Sequence, residues 1–283
     1  MSNSLVSFKR YLELEKEAQH NTVDSYTRDV STFLRAMCLK MKAEGDITGD
    51  DVQAYLDGML DAGLSVSSVR RAKASIRCYF SFLKKGGAGN PTDKAKVGKS
   101  RKEIPEVLTK GEVKALLEAT VTGNEKGVRD KCMIGLLYAT GMKVSELISI
   151  KIDDVTTLEG YVRCIGAKGS RFVPINADAS KSVANYLKLR GAQNPEDVLF
   201  LNNRGEGLTR QGFWKLLRVY AEKAGLKKKI TPQVLRYTLA LHLLENGANK
   251  QMVQEIMGYS DISSLYPCMR AYKGRIAKDY DRL

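Results

Sequence analysis

The sequence predicts a mainly α-helical fold with a small β-sheet. Apolar residues recur every three or four positions over most of the chain, which is the spacing of one helical face. Only the stretch 160–175 alternates in the way that predicts a β-hairpin. At 283 residues, with 43% hydrophobic and 28% charged residues, the composition is that of a globular protein long enough for two domains.

Four helices are predicted for residues 1–90. Leu5 starts the first apolar repeat, and a second repeat follows a short polar break. Thr48 begins the sequence T-G-D-D ahead of the third repeat, as a capping residue does. The fourth helix opens at Ser65 or Ser67, and a glycine-rich stretch that ends in a proline stops it.

Residues 91–104 lack apolar periodicity and are predicted to be a basic linker. Such a segment could cross a DNA backbone or form a solvated tether. The side chains expected to contact DNA lie here and on the fourth helix: Lys94, Lys96, Lys99, Arg101, Lys102, Arg70 and Arg71.

Residues 105–283 form the second predicted domain. Thr109, with Glu112 three residues later, predicts a capped helix start. An apolar helix then ends at Gly141, and a short helix follows it. After the predicted hairpin, helical spacing dominates the rest of the sequence.

The net charge of +14 is the strongest compositional indication of a partner. Residues 1–93 carry 13 basic and 12 acidic side chains, residues 94–104 carry five and one, and residues 105–283 carry 28 and 19. An excess in the linker and the second half suits a polyanion such as duplex DNA, although a solvated basic surface would give the same count. A membrane surface fits less well, because no basic amphipathic stretch carries a bulky aromatic face.

The five cysteines are scattered and include no C-x-x-C pair, so neither disulfides nor a zinc site is expected. The two histidines, His20 and His242, are expected to be structural, which leaves none for acid–base chemistry. We therefore predict no metal and no cofactor. There is no run of about eighteen apolar residues and no signal-peptide pattern, so the protein is expected to be soluble and cytoplasmic.

Several motifs occur in a fixed order along the chain: LTKGEVKALL from Leu108, ATGMKVSEL from Ala139, RFVP from Arg171, TPQVLRY from Thr231 and MGYSDIS from Met257. They resemble the tyrosine recombinases, the phage-integrase and Xer family, which carry A-T-G-x-R-V-S-E-L, T-P-H-x-L-R-H and L-G-H-S-D-I-S. The resemblance implies a helical core-binding domain and an α/β-type catalytic domain that close around duplex DNA. It also implies DNA-bound homo-oligomers joined by exchange of C-terminal segments, here residues 273–283.

The resemblance further implies a metal-free reaction in which a tyrosine oxygen attacks a DNA phosphodiester and releases a 5′-hydroxyl. Arg236 matches the second of two family arginines that clamp the phosphoryl oxygens. Lys168 is the residue that best matches the hairpin lysine that protonates the leaving oxygen. Lys143 replaces the first arginine; it keeps the charge but loses the planar fork that grips two oxygens.

The other family positions are substituted. Gln233 replaces the first histidine, and its amide can bind a phosphate oxygen but cannot carry a proton at neutral pH. Tyr259 stands where the family has histidine or tryptophan. Cys268 occupies the position of the nucleophile, with a much shorter side chain that would have to form a phosphorothiolate. Tyr266, next to Pro267, is the alternative nucleophile.

These substitutions lead us to expect a catalytically inactive homologue that binds duplex DNA non-covalently, in an architectural or regulatory role at the nucleoid. The alternative is an active site-specific recombinase that uses Tyr266 or Cys268. An enzyme disabled to trap a complex, and a protein-interaction module that has abandoned DNA, are two further hypotheses. The retained Arg236 and the basic linker argue against the last of these.

Overall fold

The computed structural model describes residues 3–83, 89–98, 105–120, 123–166, 169–191 and 194–280, with the side chains of the last helix described as far as Gly274. The chain divides into two compact units, Met1–Arg101 and Lys102–Leu283. Within the described ranges, no helix is both long and apolar enough to cross a membrane.

The described part of the first unit contains the four predicted helices: α1 (Asn3–Leu14), α2 (His20–Leu39), α3 (Gly49–Asp61) and α4 (Val66–Leu83). Their apolar faces meet in one core in which Phe8, Phe33 and Ile76 are fully buried.

Capping residues start two of these helices. Thr48 and Asp51 cap α3 reciprocally, each side chain accepting the other residue's backbone N–H. Ser65 opens α4, because its hydroxyl accepts the N–H of Ser68 at 3.2 Å.

Residues 91–96, the predicted start of the linker, are part of the first unit and pack against its helices. The Gln53 amide donates to the Lys96 carbonyl at 3.1 Å and accepts the Lys96 N–H at 2.7 Å. Asn90 donates to the Arg77 carbonyl at 2.9 Å, and Ala95 is buried in the core. These contacts hold the segment in place, because both backbone groups of Lys96 are bound by one side chain on α3.

The second unit surrounds a small sheet with helices, so the predicted fold class is confirmed. The sheet is antiparallel in the order β1-β2-β3, and Val162 pairs with Val173. The described elements are α5 (Lys110–Glu118), α6 (Glu125–Thr140), α7 (Val144–Ser149), β1 (Val155–Thr156), β2 (Tyr161–Gly166), β3 (Gly169–Pro174), α8 (Ala177–Arg190), α9 (Arg210–Lys223), α10 (Pro232–Glu245), α11 (Lys250–Met257) and α12 (Tyr266–Tyr280).

Helix α10 is the central element of this unit. It contacts α6, α11 and α12, and ten of its fourteen residues are buried. A helix that is covered on most sides must be apolar on most sides, as the sequence L-A-L-H-L-L within it is. A buried charge on such a helix needs polar partners, and α10 carries one at Arg236.

Candidate active site

Arg236 is held in the interior by two backbone carbonyl groups. Its side chain is 3% exposed. One guanidinium nitrogen donates to the Gly141 carbonyl, and the other terminal nitrogen donates to the Met257 carbonyl at 3.0 Å. A guanidinium has five N–H donors, so three lie outside these two bonds. Arg236 therefore joins the end of α6 to the end of α11 and keeps donors for a further anion.

Gly141 allows the close approach that this arrangement requires. It ends α6 with a φ of +59°, as the sequence predicts. A Cβ at this position would lie 2.6 Å from the Met257 sulfur and 2.9 Å from Leu239 Cδ2. Only glycine therefore fits between α6 and the two helices packed against it.

Lys143 follows two residues later, at the start of α7. Its backbone N–H donates to the Glu146 carboxylate at 2.8 Å. Its side chain is exposed, and within the described ranges its ammonium group has no hydrogen-bond or carboxylate partner. The position predicted to match the first family arginine thus carries an accessible positive charge.

The Glu146 carboxylate is bound by Arg171 of β3, a contact that the sequence did not predict. The two arginine nitrogens lie 3.2 and 2.9 Å from the two carboxylate oxygens, and Arg171 Nε donates to the Ile256 carbonyl at 2.9 Å. Burial alone would raise the pKa of Glu146, but hydrogen bonds from Arg171 and the Lys143 amide, with the charges of Arg171 and Arg236, lower it. The carboxylate is therefore ionised, and both of its oxygens accept hydrogen bonds.

Two glycines make room for this ion pair. Gly258 ends α11 with a φ of +61°, and a Cβ there would lie 2.8 Å from Arg171 Cζ. A Cβ on Gly166 would lie 3.0 Å from a Glu146 oxygen. Gly258 falls inside the MGYSDIS motif and Gly166 ends β2, and a glycine at such a position can indicate that a large group lies close to the backbone.

The aromatic ring of Tyr259 lies over the guanidinium group of Arg236. The guanidinium carbon lies 5.3 Å from the centre of the Tyr259 ring, within cation–π range. The Tyr259 hydroxyl is buried and, within the described ranges, has no hydrogen-bond partner. Burial raises the pKa of this phenol, and the charge of Arg236 opposes the shift. The hydroxyl is thus a neutral donor at physiological pH.

One open cavity of about 1000 Å³ brings three of the predicted site residues together. Gln233, Tyr259 and Tyr266 line it, with Arg270 and Lys273 of α12 on its basic side. Tyr266 is the first residue of α12, and 54% of it is exposed. Lys143 is not among the residues that line this cavity.

Cys268 is buried away from the cavity, so the structure does not support it as a nucleophile. It is 0% exposed and packs against Leu239, Met257 and Leu265. Burial raises the pKa of its thiol to about 12, although the charge of Arg236 acts in the opposite direction. The reason is helical geometry: two residues beyond Tyr266, the side chain points to the opposite face of α12.

The other predicted residues fall into three groups. Arg70, Lys94 and Lys96 are exposed and, in the described part of the chain, bind no carboxylate. Arg71 forms a two-point ion pair with Asp29 at 2.9 and 3.0 Å. The positions outside the described residues are Lys99, Arg101, Lys102 and Lys168.

Neither histidine lines the cavity. His242 is buried, and its Nδ1 lies 2.7 Å from the Tyr138 hydroxyl. His20 is exposed on α2, 3.2 Å from Asp24. Proton transfer in the cavity would therefore depend on phenols, amines or water.

Comparison with known proteins identifies both units. Residues 106–268 match the phage integrase family, and residues 5–87 match the phage integrase N-terminal SAM-like domain. The chain is 36% identical to the tyrosine recombinase XerD of Halalkalibacterium halodurans, over 99% of this chain and 97% of that protein. It is 36% identical to the tyrosine recombinase XerC of Roseiflexus sp. over 93% of this chain and 88% of that protein.

Solved structures share the fold at lower identity. The XerH site-specific recombinase in its post-cleavage complex with palindromic difH matches with a TM-score of 0.79 and 18% identity, over 98% of this chain and 84% of that one. A λ integrase dimer bound to a COC′ core site matches with a TM-score of 0.74 and 17% identity, over 96% and 95%. At such identities the likeness establishes the fold alone.

Proposed function

Because the chain belongs to the phage integrase family, we propose that it is a site-specific DNA recombinase in which Tyr266 attacks the scissile phosphodiester. The tyrosine recombinases XerD and XerC are similar to it over nearly their whole length, which favours this function over the inactive homologue. The observation that carries the proposal is the cavity shared by Tyr266, Gln233 and Tyr259, beside the buried Arg236.

The proposed step transfers one phosphoryl group. The Tyr266 oxygen forms a bond to phosphorus while the bond from phosphorus to the 5′-oxygen breaks. The phenolic proton leaves to water, and the 5′-oxygen takes up a proton, for which Lys168 is the candidate donor. Arg236 would stabilise the charge on the phosphoryl oxygens with its remaining N–H groups, and Gln233 and Tyr259 would add neutral hydrogen bonds.

Strand cleavage at such a site should be slow. Lys143 supplies one point charge where the family frame has a two-point donor, and Gln233 cannot transfer a proton. Losing one preorganised donor lowers a rate by roughly 10²–10³, and losing a general acid or base lowers it by roughly 10²–10⁴. The assay for strand cleavage must therefore detect a trace of covalent product.

The second candidate function is non-covalent binding of duplex DNA. It is favoured by the burial of Cys268 at the family's nucleophile position, because no tyrosine stands there. A basic protein with exposed Arg70, Lys94 and Lys96 would still bind the phosphate backbone. Either function would place the protein on chromosomal DNA in the cytoplasm, as an oligomer joined by residues 273–283.

The test separates native from covalent DNA retention. Purified protein is mixed with fragmented genomic DNA, one half is washed natively and the other in SDS, and the retained DNA is sequenced. The same experiment is run with Tyr266→Phe and Cys268→Ala as a matched pair. We expect discrete sites in both washes for the wild type and for Cys268→Ala, and loss of only the SDS-resistant fraction for Tyr266→Phe.

Each other outcome has a definite meaning. Discrete sites in the native wash with none after SDS would contradict the recombinase proposal and support non-covalent binding. An SDS-resistant fraction that disappears only in Cys268→Ala would assign the chemistry to the thiol. Retention of no DNA in either wash would favour a protein-interaction module.

A further inference from the structure

Arg171 binds the Glu146 carboxylate and the Ile256 carbonyl, and the family resemblance gives it no role in the chemistry. We propose that it is a positioning residue, which keeps the Lys143 ammonium group free for a DNA phosphate by holding the Glu146 carboxylate. The inference rests on the proposed function only in requiring that this site contacts DNA phosphate; it does not require strand cleavage.

Glu146 would otherwise be a natural partner for Lys143. It lies three residues after Lys143, and one of its oxygens already accepts the Lys143 backbone N–H at 2.8 Å. Residues three apart at a helix start can pair through their side chains. In the structure Arg171 binds both carboxylate oxygens, at 3.2 and 2.9 Å, and Lys143 is left exposed.

No other described cation is placed to take over from Arg171. Arg236 is near enough for its charge to lower the pKa of Glu146, but its hydrogen bonds in the described part of the chain go to the Gly141 and Met257 carbonyls and not to this carboxylate. The Lys143 side chain is exposed, and Lys143 follows two residues after Gly141, whose carbonyl Arg236 contacts. Removing Arg171 would therefore leave a buried carboxylate whose most accessible partner is the ammonium group needed for phosphate.

The two glycines that surround the ion pair support a dedicated arrangement. Any side chain at Gly258 would meet the Arg171 guanidinium, and any at Gly166 would meet the Glu146 carboxylate. Arg171 also donates to the Ile256 carbonyl, three residues before Tyr259. The same side chain thus also holds the end of α11. The test must therefore distinguish the effect of Arg171 on the charge available at Lys143 from its effect on the position of α11.

The test measures how strongly the protein distinguishes a charged phosphate from a neutral one. Duplexes carrying the genomic site are made with single methylphosphonates across the bound region, and each dissociation constant is compared with that of the unmodified duplex. For the wild type we expect weaker binding at each contacted phosphate and, at the position bound by Lys143, a loss of roughly 10-fold or more on the neutral linkage, the size of a charge-assisted contact. Lys143→Ala should remove this discrimination.

Four variants then isolate the role of Arg171. Arg171→Ala should lose the discrimination, and Arg171→Ala combined with Glu146→Gln should regain it, because the amide cannot neutralise Lys143. Arg171→Lys should retain part of it. Glu146→Gln alone should keep it. Thermal melts of each variant establish that binding is measured on folded protein.

The proposal is overturned if Arg171→Ala discriminates as the wild type does, or if the double variant is folded but fails to recover. It is also overturned if the wild type discriminates at no position. SDS-resistant adduct on the unmodified duplex is scored in parallel. Discrimination without adduct would contradict strand cleavage by Tyr266 and leave the role of Arg171 standing.

Discussion

Lys143 is predicted to stand at the position of the first family arginine, and we expect this difference to limit the proposed chemistry. Its charge is accessible, but an ammonium group offers a point contact where a guanidinium offers a planar fork. The backbone around Lys143 is held closely, since its N–H donates to Glu146 and Gly141 packs against Met257 and Leu239. The part of the expected loss that comes from this position should therefore be reversible by changing one side chain.

Lys143→Arg is expected to raise the yield of SDS-resistant adduct on the genomic site by up to about 10²-fold, since one preorganised donor is restored. The measurement is a time course of adduct formation on radiolabelled duplex. Lys181→Arg, at an exposed position on α8, is the matched control and should change nothing. Equal yields from both variants would mean that Lys143 does not face the scissile phosphate.

Cys268 illustrates how burial sets reactivity. Because its pKa is raised to about 12, almost no thiolate forms at neutral pH, and the thiol is also inaccessible. Alkylation followed by mass spectrometry should label the exposed Cys38 at pH 8 and leave Cys268 unlabelled up to about pH 10. Labelling of Cys268 at the rate of Cys38 in the folded protein would show that α12 opens in solution.

At the scale of elements, the site is built where helices end. Gly141 ends α6, Gly258 ends α11, and Tyr266 begins α12. Arg236 joins the first two ends through their carbonyl groups, and Arg171 joins α7 to the second. Helix C-termini present unpaired carbonyl groups, which explains why both bridging residues are arginines.

Gly258→Ala should destabilise the second unit more than Gly225→Ala. Both glycines have positive φ, +61° and +67°, so alanine costs about 1–2 kcal/mol at either position. Only Gly258 also meets the Arg171 guanidinium, which adds about 1–3 kcal/mol of overpacking. The check is urea unfolding of both variants; equal losses would mean that Arg171 moves aside freely.

At the scale of the whole molecule, charge and fold point to the same ligand. The net charge of +14 is carried by a chain whose two units match the two domains of the phage integrase family. On the first unit, Arg70, Lys94 and Lys96 remain exposed, while Arg71 is used internally to bind Asp29. Affinity for DNA should therefore come from many separate phosphate contacts.

Binding to the genomic site should weaken steeply with salt. For six to ten phosphate contacts, affinity falls by roughly 10³–10⁵ between about 50 and 200 mM salt, because bound counterions are released on association. Arg70→Ala should reduce the slope of log affinity against log salt by about one. Arg71→Ala is the matched comparison for this slope, because the neighbouring Arg71 binds Asp29 within the first unit. Equal affinity at low and high salt would exclude an electrostatic DNA interface.

The sequence by itself determined the elements and the family. Thr48, Thr109 and Gly141 each act on residues within one helical turn, so the starts and ends of α3, α5 and α6 could be predicted from neighbours along the chain. The ordered motifs predicted the fold class and placed Arg236 in the site, and the family comparison confirms the first of these.

Only the tertiary structure decided which side chains meet. Arg171 and Glu146 are 25 residues apart, and neither periodicity nor spacing indicates that they pair. The inward direction of Cys268 and the outward direction of Tyr266 depend on where α12 begins and what it packs against. The sequence predicts a basic linker from residue 91 onward, and it gives no sign of the Gln53 contacts with Lys96 because these join residues 43 positions apart. Local interactions fix helices, whereas ionisation, burial and access are set by long-range packing.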